Sequence, residues 1–188
     1  MTGPSLNIDE LVEHWTVLDE ERDLIAGKRG ATRLAFVLLL KYYTRHGRFP
    51  RRSELADEAI EHVARQVKIP VSELGLYEWT GRTIEYHRSQ IRAHLGFRVC
   101  SVVDAEKLTD WPAANVAHAE RRVDRVRAEL LKHCRGEKIE PPASGRIGRI
   151  VRSALHGAEE AWSMRIAAQV DAGATAWPSA RRSEAEPR

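Results

Sequence analysis

Apolar residues recur along this chain at spacings of three and four, the period of an α-helix, and no stretch alternates apolar and polar positions as a half-buried strand would. Asn7 followed three residues later by Glu10 has the form of a capping box and predicts a short helix to about Trp15. Residues 19–26 read as a second helix, rich in acids at its start and stopped by Gly27. Over residues 31–45, Leu34, Val37, Leu38 and Lys41/Tyr42 keep the helical period, and Gly47 ends the segment. Pro50 and Ser53 mark a turn, after which Leu55, Ala59, Ile60, Val63, Ala64 and Val67 line one helical face. Pro70 interrupts, a short helical turn covers residues 72–77, and residues 80–95 form another helix. Ile84, His87/Arg88, Ile91 and Leu95 lie on one side of it, with Gly96 as the stop.

In the second half, Ser101 and Asp104 can cap a helix to Trp111, where Pro112 is expected to break it. The longest helix is expected over residues 114–134. Its stripe of Val116, Ala119, Val123, Val126 and Leu130 reads as a core or interhelical seam closed by Gly136. Residues 137–145 (EKIEPPASG) are the clear linker, stiffened by Pro141 and Pro142. A last amphipathic helix is expected over residues 146–170, bent at Gly157, and the small, polar, aperiodic residues 171–188 predict a disordered tail. The expected fold is all-α, a multi-helical orthogonal bundle. Residues 1–136 form its first domain, and residues 146–170 begin a second segment.

The chain has 188 residues, 43% hydrophobic and 30% charged, an ordinary globular composition. Its longest apolar run, Leu34 to Leu40, is too short to cross a bilayer, and the N-terminus has no basic and apolar regions of a secretion signal. Cys100 and Cys134 are the only cysteines and form no CxxC pair, which excludes a disulfide framework or zinc finger and fits a reducing cytoplasm. No phosphate-binding, dinucleotide, nucleophile-elbow or HExxH motif occurs, so no cofactor and no metal is expected. His87 and His94 share a helix but lack a third ligand, and packing explains them more simply than metal binding.

Charge changes this picture. The net charge is only +3, yet residues 9–23 hold seven acids and one base, and residues 24–53 hold eight bases and no acid. Residues 121–138 carry seven bases against three acids, and Arg146, Arg149 and Arg152 follow with no acid among residues 144–156. Segregated positive charge is the footprint of a polyanion binder, or else of solvated faces neutralised by the acidic segments on folding. Two stretches sharpen the choice. Residues 61–79 match helix-turn-helix spacing: Ala64 stands where two helices touch, Ile69 and Leu74 fill apolar positions, and Ser72 starts a second helix. Lys68 stands at the turn where glycine is usual, and the would-be reading helix has no Arg or Lys. Residues 80–98 combine Arg82, His87, Arg88, Arg92 and Arg98 with Thr83, Tyr86, Ser89 and Gln90, phosphate donors and base-edge readers on one element. Arg82, Tyr86 and Ser89 project from one side, and Arg88 with Arg92 from another. The alternative is a surface helix that pairs its arginines with acids elsewhere.

Residues 15–50 (WTVLDEERDLIAGKRGATRLAFVLLLKYYTRHGRFP) resemble the opening domain of Tn-three family transposases, and residues 63–97 follow at that family's spacing. The marks are Arg29-Gly30 before a long apolar helix, Phe49-Pro50 after it, the Tyr77…Arg82-Thr83…His87 cluster, and the Leu95-Gly96-Phe97 stop. Residues 146–162 continue the resemblance, which covers roughly residues 10–170, while Thr32 and Ala35 stand where the family often has Asn and Gly. The resemblance implies a DNA-binding role. Such transposases are several times longer, with N-terminal helical domains that bind terminal inverted repeats and a metal-dependent Asp-Asp-Glu catalytic domain far downstream. The implied role is therefore end recognition rather than catalysis, in a nucleoid-associated bacterial protein that is truncated, frameshifted or naturally short.

On this reading double-stranded DNA is the partner. Lys28, Arg29, Arg33 and the Arg146, Arg149 and Arg152 face hold phosphates, while Arg82, Thr83, His87, Arg88, Gln90 and Arg92 supply base-reading and further DNA contacts. A second class of reading is an interaction module. It forms a homodimer through the 114–134 helix or engages full-length transposase as an inhibitor; a third is a decayed remnant.

Overall fold

The structure is a computed structural model that describes residues 6–175, with side chains described to residue 170. The described residues are all-α but for one two-residue ladder. The chain forms two compact units, Met1–Ser101 with Leu131–Pro142, and Val102–Leu130 with Ala143–Arg188. The division falls inside the 1–136 span expected as one domain.

The first unit is built around one helix. α1 (Ile8–Trp15) opens with the expected capping box, Glu10 N donating to Asn7 Oδ1 at 2.8 Å. A 3-10 turn at Asp19–Glu21 leads into α2 (Arg22–Ala26), and α3 (Gly30–His46) comes next, ended by Gly47 in the left-handed region at φ 67°. α3 does not bury only a stripe: every residue from Leu34 to Tyr43 is buried. Such a helix has to be wrapped on all sides. Here α1, α2, α4 (Asp57–Val67), the 3-10 turn Val71–Leu76 and α5 (Arg82–Leu95) surround it. α5 ends in a Schellman turn, with Phe97 N donating to Arg92 O and Gly96 N to Ala93 O.

The segment read as a helix-turn-helix keeps its turn and loses its second helix. α4 ends with Lys68 at φ 57° and ψ 45°, and Ile69 N donates back to Ala64 O at 3.1 Å. Beyond Pro70 the chain makes only the six-residue 3-10 turn, too short to lie in a groove as a reading helix. A non-glycine residue in the left-handed region is strained, so Lys68→Gly is expected to raise stability by about 0.5–1 kcal/mol. Urea denaturation of the two proteins checks this.

β1 (Arg98–Val99) pairs in parallel with β2 (Ile139–Glu140), so the expected linker 137–145 is tied into the first unit. Ile139 is buried, and Glu140 accepts hydrogen bonds from Arg92 Nη1 at 3.0 Å and Tyr43 Oη at 3.2 Å. That pairing also corrects the expectation of a chain without strands.

In the second unit α6 (Val102–Asn115) packs on α8 (Ser144–Thr175). Pro112 does not break α6. It lies in the last turn, buried, where the missing N–H forfeits one bond and its carbonyl accepts from both Val116 and Ala117. The chain then turns through residues 116–119 before α7 (Val123–Gly136), so the expected continuous helix over 114–134 does not exist. Val126 and Leu130 are buried, whereas Val123 is 53% exposed, and the stripe read as a dimer seam is broken. Its period matched a helix because spacings of three and four also fit a turn joining two helices. α8 runs to Thr175, into the span expected as tail; residues 176–188 of that tail lie outside the described residues. Among the described residues no helix is long and apolar enough to cross a membrane.

Candidate nucleic-acid interface

The basic run of residues 24–53 is largely spent inside the fold. Lys41 Nζ donates to Glu21 Oε1 at 2.7 Å, Arg45 to Glu10 at 3.0 Å, and Arg48 grips Glu54 through two nitrogens at 2.6 and 3.1 Å. The acidic segment before it thus neutralises part of it, as the solvated-face reading anticipated. Arg29 at the start of α3 remains exposed.

Lys28 is half-buried. Its ammonium lies 3.9 Å from the centre of the Phe36 ring and donates to Leu24 O at 2.8 Å, and burial holds its pKa below the usual lysine range. Arg33 is likewise partly buried, with Nε enclosed and unpaired. Neither is an open phosphate clamp.

α5 divides its residues by face, as its spacing implied. Arg82, Thr83, Tyr86 and Ser89 are exposed. Arg88 is bound to Glu85 at 2.7 Å and lies over the Phe49 ring, and Arg92 is bound to Glu140 and lies over the same ring. Gln90 donates to Tyr86 Oη at 3.1 Å while its amide oxygen is enclosed. Each arginine on this inner face is thus engaged by a carboxylate and by the Phe49 ring.

His87 cannot read a base. It is 3% exposed, its Nδ1 shares a 2.8 Å hydrogen bond with Tyr77 Oη, and its ring meets Phe36 edge-on at 5.0 Å and stacks on Tyr77 at 5.8 Å. Burial, with the Lys28 charge nearby, pushes its pKa down to about 4, so the ring is neutral near neutral pH. The Tyr77…His87 pair recognised in the sequence is an internal lock between α5 and the turn before it.

That lock sets a direction. Phe36 meets His87 in the first half of each helix, and Tyr43, in the last turn of α3, meets Phe97, just past the end of α5, edge-on at 5.1 Å. α3 and α5 therefore run parallel, with both N-termini at one end of the unit. Exposed Arg29, Arg82 and Thr83 stand at that end, where the macrodipoles of both helices are positive. Carboxylates already complement those dipoles. Glu73 Oε2 lies so close to Gly30 (φ 50°) that an added Cβ would come within 2.7 Å of it, and Glu78 stands beside Gly81. An incoming phosphate would thus meet guanidinium groups rather than bare helix ends.

Two basic residues not singled out in the sequence as DNA contacts, Arg65 and Lys68, line a groove of about 570 Å³ with Glu61, Ala64, Ile69, Pro70 and Val71, at the end of α4. Lys68 was legible as a turn residue, but only the folded turn puts it beside Arg65. In the second unit Arg146, Arg149 and Arg152 are all exposed or half-exposed. Ile147, Ile150, Val151 and Ala154 fill the buried face of α8, so the three arginines occupy its opposite side.

No curated protein matches the chain. A family model does, described as a domain of unknown function (DUF4158), and it matches residues 1–154, which take in the parallel α3–α5 pair and the α8 arginines. The chain therefore belongs to the DUF4158 family, which is found in Tn-three family transposases.

Proposed function

We propose that this chain is a DNA-recognition module that binds the terminal inverted repeats of a transposon. The observation that carries the reading is the shared N-terminal end of α3 and α5, with Arg29, Arg82 and Thr83 exposed on it. Exposed guanidinium groups at the positive ends of two parallel helices suit phosphate contact, and Arg82 with Thr83 and Tyr86 on the open face of α5 suits base edges. The reading residues proposed are those of this face, since His87 is buried and Arg88 and Arg92 are already paired with Glu85 and Glu140. Arg146, Arg149 and Arg152 recur on successive turns of α8 and suit tracking of a phosphate backbone. The family's occurrence in transposases supports the same reading.

Fluorescence anisotropy tests it, with the full chain titrated into a transposon's terminal repeat and a scrambled duplex over a salt series. The repeat is expected to bind at least about a thousandfold more tightly. Arg82→Ala should lose about 1–3 kcal/mol on the repeat and little on the scrambled duplex. Arg149→Ala should weaken both duplexes alike and lower the salt slope by about one. Equal, steeply salt-dependent binding to both duplexes would reduce the chain to an unspecific polyanion binder, and no binding to either would refute the proposal.

A further inference from the structure

Two surfaces of the first unit carry complementary chemistry. One is the groove at the end of α4. Ala64, Ile69, Pro70 and Val71 give it apolar walls, and exposed Arg65 and Lys68 stand beside them against one acid, Glu61. Arg65 Nε donates to the Glu61 carbonyl at 3.3 Å, and among the described residues no carboxylate pairs with either basic side chain. The other surface is the outer side of α1. Ile8 is 77% exposed and Val12 56%, one turn apart, and exposed Asp9 and Glu13 form the next row around the helix. Single exposed apolar residues are ordinary; a row of them edged by acids, on a unit whose groove is apolar and edged by bases, is a matched pair of surfaces.

We propose that the α1 face of one copy of the chain docks in the α4 groove of a second copy, its Ile8 and Val12 on the apolar walls and its Asp9 and Glu13 toward the two bases. Four apolar lining residues suit branched aliphatic side chains better than a phosphate backbone, which needs donors along its length. Within one copy the two surfaces cannot meet. Gln66 ties α4 to the end of α1, accepting from Val17 N at 2.8 Å and donating to Trp15 O at 3.0 Å. It stands about 160° around α4 from both Ala64 and Lys68. The end of α1 therefore lies on one side of α4, and the groove opens on the other. The contact joins two different surfaces, so it is heterologous, and each bound copy still has one surface to offer.

Sedimentation of the full chain from about 1 to about 200 µM, without DNA, tests this. The average mass is expected to rise with concentration from the 21.3 kDa of one chain. Arg65→Glu with Lys68→Glu spoils the groove, and Val12→Lys with Glu13→Lys spoils the α1 face. All four residues are exposed, so circular dichroism should not change. Each double variant should associate at least about tenfold more weakly than the parent. Mixed, the two should associate again to within about threefold of the parent, since one keeps the face and the other the groove, and should stop at a pair. A monomer at every concentration overturns the proposal. So does association that either double variant leaves intact, or a mixture no heavier than its components. A groove variant that keeps the parent's mass but binds duplex DNA more weakly would assign the groove to nucleic acid, and overturns the proposal equally. The mass measurements hold whether or not the chain binds DNA.

Discussion

Lys41→Met is expected to destabilise the first unit by about 3–5 kcal/mol, because it strands a carboxylate in the core. Lys41 lies in the middle of α3 at 3% exposure, and Glu21 is 4% exposed. Glu21 Oε1 accepts from Lys41 Nζ at 2.7 Å, and Oε2 also accepts from Leu18 N at 2.9 Å. The carboxylate therefore does two jobs. It neutralises the one ammonium in a helix otherwise buried among Leu, Val and Tyr, and it ties the turn before α2 to that helix. Removing the ammonium leaves a charge whose desolvation nothing offsets. Glu21→Gln with Lys41→Met leaves no buried charge and keeps an acceptor for Leu18, so the double variant should recover most of the loss, to within about 1–2 kcal/mol of the parent. The comparison is made by urea denaturation followed by far-ultraviolet circular dichroism. If Lys41→Met alone were as stable as the parent, the buried pair would have no such role.

Acid should weaken the same unit well before most carboxylates titrate. His87 and His46 are each held down at about 4, chiefly by burial. Lys28 adds to the effect at His87, and Arg45, Arg48 and Arg135 at His46, against an opposing Glu54. Both rings are neutral in the folded chain, whereas in the unfolded chain they take up protons below about pH 6.5. Between pH 6.5 and 4 the unfolded state binds more protons, so stability falls as the pH is lowered across that window, by about 3–5 kcal/mol for the two together. Glu54, held down to about 2 by Arg48, adds a loss that begins only below its ordinary value of 4.5. Urea midpoints at pH 7.5, 6 and 5 measure the slope. His87→Gln keeps an acceptor for Tyr77 and should remove about half of it; a midpoint that does not move between pH 7.5 and 5 would show that neither ring is held neutral.

Residues that act locally were legible before folding. Asn7 with Glu10, Gly47 and Gly96 each satisfy or release backbone groups within a turn of themselves, and each ends or starts a helix where its chemistry requires. The same holds for the exposed side of α5, since a helix presents Arg82, Tyr86 and Ser89 together wherever it packs. The turn after Asn115 was not legible, because a stripe of Val and Ala at three- and four-residue spacing fits one long helix as well as two short ones. Nor was the ladder of Arg98–Val99 with Ile139–Glu140 visible, since two residues carry no alternation.

By itself, then, the sequence determined that the chain is helical, where most of its helices start and stop, and which stretches carry the positive charge, all of them consequences of interactions spanning three or four residues. Tertiary structure alone decided which charges remain available. It buried α3 on every side, spent Lys41, Arg45 and Arg48 on acids from other segments, and closed His87 between Phe36 and Tyr77. The reason is that burying a charge or a ring nitrogen requires a partner to offset its desolvation, and that partner comes from wherever the fold brings the chain back.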